Sequence, residues 1–142
     1  MTSINPVPST LDVLMGGYRA HVHGRSLPRP VAVGFYPNES EVTIQPEGGM
    51  DLARVLANLL LWAHTLAEVT AEWSHTTDHR LHVSVLGRAT TGARFRVYGG
   101  GLFAYTLGLV DLDAGERDGV SLDELYALVC LLREVHSTRE AA

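Results

Sequence analysis

The sequence predicts an α+β domain in which an antiparallel sheet of five or six strands packs on one long helix. Three observations predict it. Apolar and polar residues alternate with a period of two in several short runs, a helical apolar period follows Asp51, and all six prolines lie at or before Pro46. Proline removes a helix hydrogen bond, so the first third must be mostly strands and turns, and the long helical patterns fall in proline-free sequence.

Taken in order, Ser9 or Thr10 can cap a short helix from Leu11 to Met15, with Gly16 and Gly17 ending it. Tyr18, Ala20 and Val22 alternate with Arg19, His21 and His23, which predicts a half-buried first strand. Val31 to Tyr36 reads as a second strand. After the Pro37-Asn38-Glu39-Ser40 turn, Glu41 to Gln45 reads as a third, with Val42 and Ile44 inward and Glu41, Thr43 and Gln45 outward. Asp51 caps a helix expected to run to about Trp73, with Leu52, Val55, Leu56, Leu59, Leu60, Ala63, Leu66, Ala67 and Thr70 at helical spacing.

Arg80 to Gly99 reads as a hairpin. A three-residue loop, Thr90-Thr91-Gly92 with Gly92 left-handed, sets Gly87 opposite Phe95 and Val85 opposite Val97, and so turns every apolar residue except Leu86 inward. Phe103, Tyr105, Leu107 and Leu109 alternate as an optional further strand, and Asp111 to Gly119 reads as a polar loop. Ser121 and Glu124 form the capping box of a last helix that buries Leu122, Leu125, Leu128, Val129 and Leu132. The expected order is α-β-β-β-α-β-β-(β)-α. The whole of 1–142 forms a single domain, with 1–8 as a flexible lead.

Composition narrows the function. A chain of 142 residues, 46% apolar and 19% charged, fits one globular core. No apolar run approaches the ~20 residues of a membrane helix, so no membrane partner is expected. The opening Met1-Thr-Ser-Ile-Asn-Pro6 lacks the charge and apolar run of a secretory signal, which predicts a cytoplasmic protein. The single cysteine, Cys130, lies in an apolar run and reads as a buried, inert thiol. All eleven basic residues are arginine, which excludes a Walker A lysine and Schiff-base chemistry. No G-x-S-x-G or H-E-x-x-H motif occurs. Gly99-Gly100-Gly101 reads as a strand end and not as a dinucleotide fingerprint. No cofactor is implied.

The charge map carries the main functional expectation. Residues 13–38 hold three arginines and no acid, residues 79–110 hold four and no acid, and all sixteen acids fall elsewhere. By alternation, Arg19, His21, His23, Arg25, His82, Arg88, Arg94, Arg96 and Tyr98 point to the open face of the sheet. Guanidinium forks grip carboxylate or phosphate, so the expectation is a non-catalytic binding or regulatory module that takes an acidic protein surface, or a second copy of itself, on this face. A homodimer is also expected because Tyr126 and Cys130 widen the last helix's apolar stripe. The platform requires Arg88, Arg94 and Arg96 to be free of the chain's own carboxylates.

Two alternatives stand beside it. A nucleic-acid-binding regulator would use the 80–99 hairpin, with Tyr98 stacking on a base, although the net charge of −5 opposes bulk affinity. A metal-dependent hydrolase would use His75, His79 and His82, close in sequence near Glu72 and Asp78. Asp113 to Glu124 has the length of a calcium loop, but Gly115, Arg117 and Asp118 occupy its inner ligand and turn positions.

Leu56-Ala-Asn-Leu-Leu-Leu-Trp-Ala-His64, Leu81-His-Val-Ser-Val-Leu-Gly-Arg88 and Phe95-Arg-Val-Tyr-Gly-Gly100 resemble small uncharacterised proteins of GC-rich actinobacteria and their mobile elements. That resemblance implies no activity or site. The element order is similar to that of small acidic secretion chaperones, which implies a dimer that holds a partner chain.

Overall fold

The computed structural model describes residues 10–141, with side chains through residue 138; the flexible lead expected at 1–8 lies outside the described residues. The elements are α1 (Thr10–Val22), β1 (Pro30–Tyr36), β2 (Glu41–Pro46), α2 (Leu52–Ala63), β3 (Ala67–His75), β4 (Arg80–Arg88), β5 (Arg94–Leu102), β6 (Arg117–Val120) and α3 (Leu122–Ala141). They build one α+β sheet in the order β1-β2-β5-β4-β3-β6.

The sheet is mixed where a purely antiparallel one was expected. β1–β2, β5–β4, β4–β3 and β3–β6 pair antiparallel, but β2 lies parallel to β5, with Val42 beside Phe95 and Ile44 beside Val97. Between β2 and β5 the chain passes through α2, β3 and β4, a connection long enough for the crossover that a parallel pair requires.

α1 runs straight through Gly16 and Gly17, which replaces the expected stop and the expected strand 18–22. Leu14, Gly17 and His21 are buried at helical spacing. The helix ends at Gly24, whose φ of +75° supplies the left-handed turn that glycine tolerates best. Gly17 is needed for closeness: a Cβ there would stand 3.2 Å from Thr91 Oγ1 in the β4–β5 turn.

α2 begins as expected, with the Asp51 carboxylate accepting from the Arg54 amide at 3.3 Å, but it stops at Ala63. Residues 67–75 form β3 instead of continuing the helix. Leu52, Val55, Leu56, Leu59, Leu60 and Trp62 are buried, and the Trp62 indole N–H donates to Pro28 O at 3.0 Å, tying the loop before β1 to the core. Gly99 and Gly101 admit α2 to the sheet, because a Cβ on either would meet Val55 Cγ1 at 2.7 Å or Leu52 Cδ1 at 3.3 Å.

The β4–β5 hairpin has the expected register, with Gly87 opposite Phe95, Val85 opposite Val97 and Gly92 at φ +86°. Phe103–Thr106 is a 3₁₀ turn and not a strand; the additional strand lies in the expected polar loop, at β6. The capping box of α3 forms, with Ser121 Oγ accepting from the Glu124 amide at 3.0 Å and Glu124 Oε1 accepting from the Ser121 amide at 3.2 Å. Leu125, Leu128, Val129 and Leu132 are buried, whereas Cys130, expected inside, is exposed.

One apolar cluster draws on every element. α1 reaches the same face as α2, since the His21 ring contacts both Trp62 and Phe95, and α3 packs on α2. Among the described residues, no helix covers the opposite face of the sheet. No described helix is long and apolar enough to cross a membrane.

Candidate binding face

Strand alternation decides what the uncovered face presents. The partners of Val42, Val83 and Val97 face the helices, so Glu41, Thr43 and Gln45 of β2, Arg94, Arg96 and Tyr98 of β5, and His82, Ser84, Leu86 and Arg88 of β4 share the other side. Five of the nine expected residues therefore meet there: His82, Arg88, Arg94, Arg96 and Tyr98. Arg19, His21, His23 and Arg25 do not, because the segment expected to be a strand is the end of α1 and its following turn.

His21 is the largest departure. It is fully buried, donates from Nε2 to Thr65 Oγ1 at 2.7 Å, and leaves Nδ1 without a partner. Thr65 in turn donates to Trp62 O at 2.7 Å, which fixes the direction of the first bond. Burial, and then the nearby Arg25, hold its pKa below the ordinary histidine range. It is a neutral core residue.

The three expected arginines that reach the face, Arg88, Arg94 and Arg96, are paired within the chain. Arg94 and Arg96 both contact Glu41, at 3.7 and 3.3 Å, and Arg88 contacts Glu68 at 3.2 Å. Arg96 also donates to Ser84 Oγ at 3.0 Å. At the far side, Arg117 pairs with Glu72 at 2.8 Å. Arg88 and Arg94 are direct cross-strand neighbours, an arrangement that costs free energy unless countercharges answer it; Glu68 and Glu41 do so. Of the five arginines expected on the face, Arg88, Arg94 and Arg96 reach it, each beside a carboxylate of the chain, and Arg117 joins them beside Glu72.

The pairs are unequal. Glu41 is nearly buried, its side chain 11% exposed, whereas Glu68 is 76% exposed and Arg88 55%. An exposed pair of this kind contributes about 0–1 kcal/mol, so Arg88 exchanges partners readily. Beside these groups the His82 and Tyr98 rings stack with centroids 6.0 Å apart. Desolvation, then the Arg117 and Arg96 charges, hold His82 below the usual histidine pKa, against the opposing pull of Glu72.

The structure brings the rings of His75 and His79 within 6.4 Å of each other but does not bring His82 to them. His75 lies on the helix side, stacked on Phe103 at 3.5 Å, with Nδ1 donating to Leu112 O at 2.9 Å, while His82 pairs with Ser74 on the open side. Among the described residues no group of three or more His, Cys, Asp or Glu could hold a metal ion. Residues 113–124 form a turn, β6 and the α3 cap.

Sequence reasoning missed Glu41 as the centre of the face. Its outward direction was legible, but only the parallel β2–β5 junction sets it beside Arg94 and Arg96. Comparison of the chain with protein-family models, with curated proteins and with solved structures gives no match.

Proposed function

We propose that the chain is a non-catalytic binding module that takes a short acidic segment of a partner protein on the uncovered face of its sheet by exchange with its own carboxylates, since Arg88, Arg94 and Arg96 are not the free groups that an open platform requires. The observation that carries this reading is two guanidinium groups, Arg94 and Arg96, on one nearly buried carboxylate, Glu41, next to Arg88, whose own partner Glu68 is exposed and weakly held. With Arg80, which alternation along β4 sets on the same side, five arginines stand here against Glu41, Glu68 and Glu72, on a chain of net charge −5. A partner carboxylate displaces Glu68 from Arg88 at little cost, and the His82–Tyr98 stack offers a flat apolar surface next to it.

Fluorescence anisotropy with labelled poly-glutamate and with duplex DNA tests the proposal. Poly-glutamate should bind, weaken as salt is raised, and lose about tenfold in affinity, roughly 1.4 kcal/mol, when Arg88 and Arg94 are both replaced by Glu. Absence of binding, or binding indifferent to the two reversals, overturns it. Preference for DNA with a steep salt dependence supports the nucleic-acid reading in its place.

A further inference from the structure

We propose that β1 is a dimerisation edge: two copies of the chain pair antiparallel through Ala32–Tyr36 about a two-fold axis at Gly34, joining two six-stranded sheets into one. This inference is independent of the acidic-partner reading, since it uses the sheet's edge and no charged residue.

A sheet has two edges, and each offers a row of unpaired backbone N–H and C=O groups. β6 is a guarded edge: four residues long, with Arg117 and Asp118 on it. β1 is unguarded. Its seven residues, Pro-Val-Ala-Val-Gly-Phe-Tyr, carry no charge, and Val31, Ala32 and Tyr36 are exposed. Such an edge is the ordinary template for strand addition.

Self-pairing is favoured over a foreign strand because the strand complements itself. Its register with β2 shifts between Pro30 and Ala32, so Ala32–Tyr36 is the regular part, bounded by Pro30 and Pro37, which have no N–H to give. Centred on Gly34, Val33 of one copy meets Phe35 of the other on the helix side, twice by symmetry. Both are half-buried at present, and a β-branched residue opposite an aromatic is a favourable cross-strand pair. On the open side Ala32 meets Tyr36, small against large. Gly34 sits on the axis, where the Tyr36 ring and Thr43 already fill the space a Cβ would need. The stripe on α3 is a poorer candidate, because Tyr126 is engaged by His64 and Arg133 and Glu134 follow Cys130 within four residues.

Light scattering after size exclusion should give a mass of two chains of 15.4 kDa. Replacing Ala32→Lys and Tyr36→Lys together sets like charges opposite each other in both symmetric pairs and should halve that mass. Both positions are exposed, so the monomer keeps its fold, checked by circular dichroism. Mixing this variant with one carrying Ala32→Glu and Tyr36→Glu should restore a mixed dimer. With Cys130→Ser in place, Ala32→Cys plus Tyr36→Cys should oxidise to a covalent dimer, while either cysteine alone should not, since like positions then lie about 13 Å apart. A monomeric wild type, a dimer untouched by the lysine pair, or failure of the two-cysteine variant to cross-link overturns the proposal.

Discussion

The same chemical change, glycine to alanine, should move stability in opposite directions at Gly16 and Gly100. Gly16 lies inside α1, exposed, with open space where a Cβ would project. Alanine there removes backbone freedom from the unfolded chain and improves helix propensity, a gain of about 0.8 kcal/mol. With an unfolding entropy of ~2.1 cal/mol/K per residue, that is a rise in Tm of about 3 °C. At Gly100 the added Cβ would stand 1.9 Å from Leu81 O, and backbone atoms are also its next two neighbours, at 3.0 and 3.2 Å. A C···O contact settles near 3.3 Å, so β4 and β5 must separate by about 1.4 Å, which breaks the ladder locally and costs about 3 kcal/mol or more. Urea denaturation followed by circular dichroism reads both. A loss at Gly16→Ala would refute the continuous helix and return residues 18–22 to the strand expected from alternation. A near-neutral Gly100→Ala would refute the β4–β5 register at its far end.

Two further outcomes follow from burial. The pKa of His21 is depressed in the fold while the unfolded value is ~6.5, so below that pH the unfolded chain binds more protons. Stability present above pH ~6.5 is therefore lost as pH falls through the folded pKa. His21→Leu should lessen this dependence, the remainder coming from His82, whose pKa is also held low; an unchanged slope would refute the neutral, buried assignment. Cys130, exposed on α3, should react with a thiol reagent in the native protein nearly as fast as in denaturant, and strong protection would show the helix covered there.

How far the residues disclosed their structure depended on which signal was local. The β4–β5 register was legible because turn length and alternation restrain each other within twenty residues. The α3 cap was legible because Ser121 and Glu124 answer each other directly. The length of α1 is not legible from its glycines, because glycine is a helix stop only where a left-handed residue is required, and that residue is Gly24 and not Gly16. The end of α2 is not legible from periodicity, because Ala63, Ala67 and Thr70 satisfy a helical period without excluding a strand. The competing alternation of Ala67, Val69, Ala71 and Trp73 was the available signal. The face itself was half legible: each outward residue of the hairpin follows from its register. That its guanidinium groups meet Glu41 depends on a parallel pairing across fifty residues, which no window of sequence contains.

That junction also bears on kinetics. β3, β4 and β5 are consecutive and close by short turns, whereas β2 must find β5 with the intervening helix and two strands already between them. Loop-closure entropy places the meander early on the folding path and the docking of the β1–β2 ribbon late. Weakening Val42 or Ile44 would then chiefly hasten unfolding, and weakening Val85 or Val97 would chiefly slow folding, a division that the two arms of a chevron plot resolve.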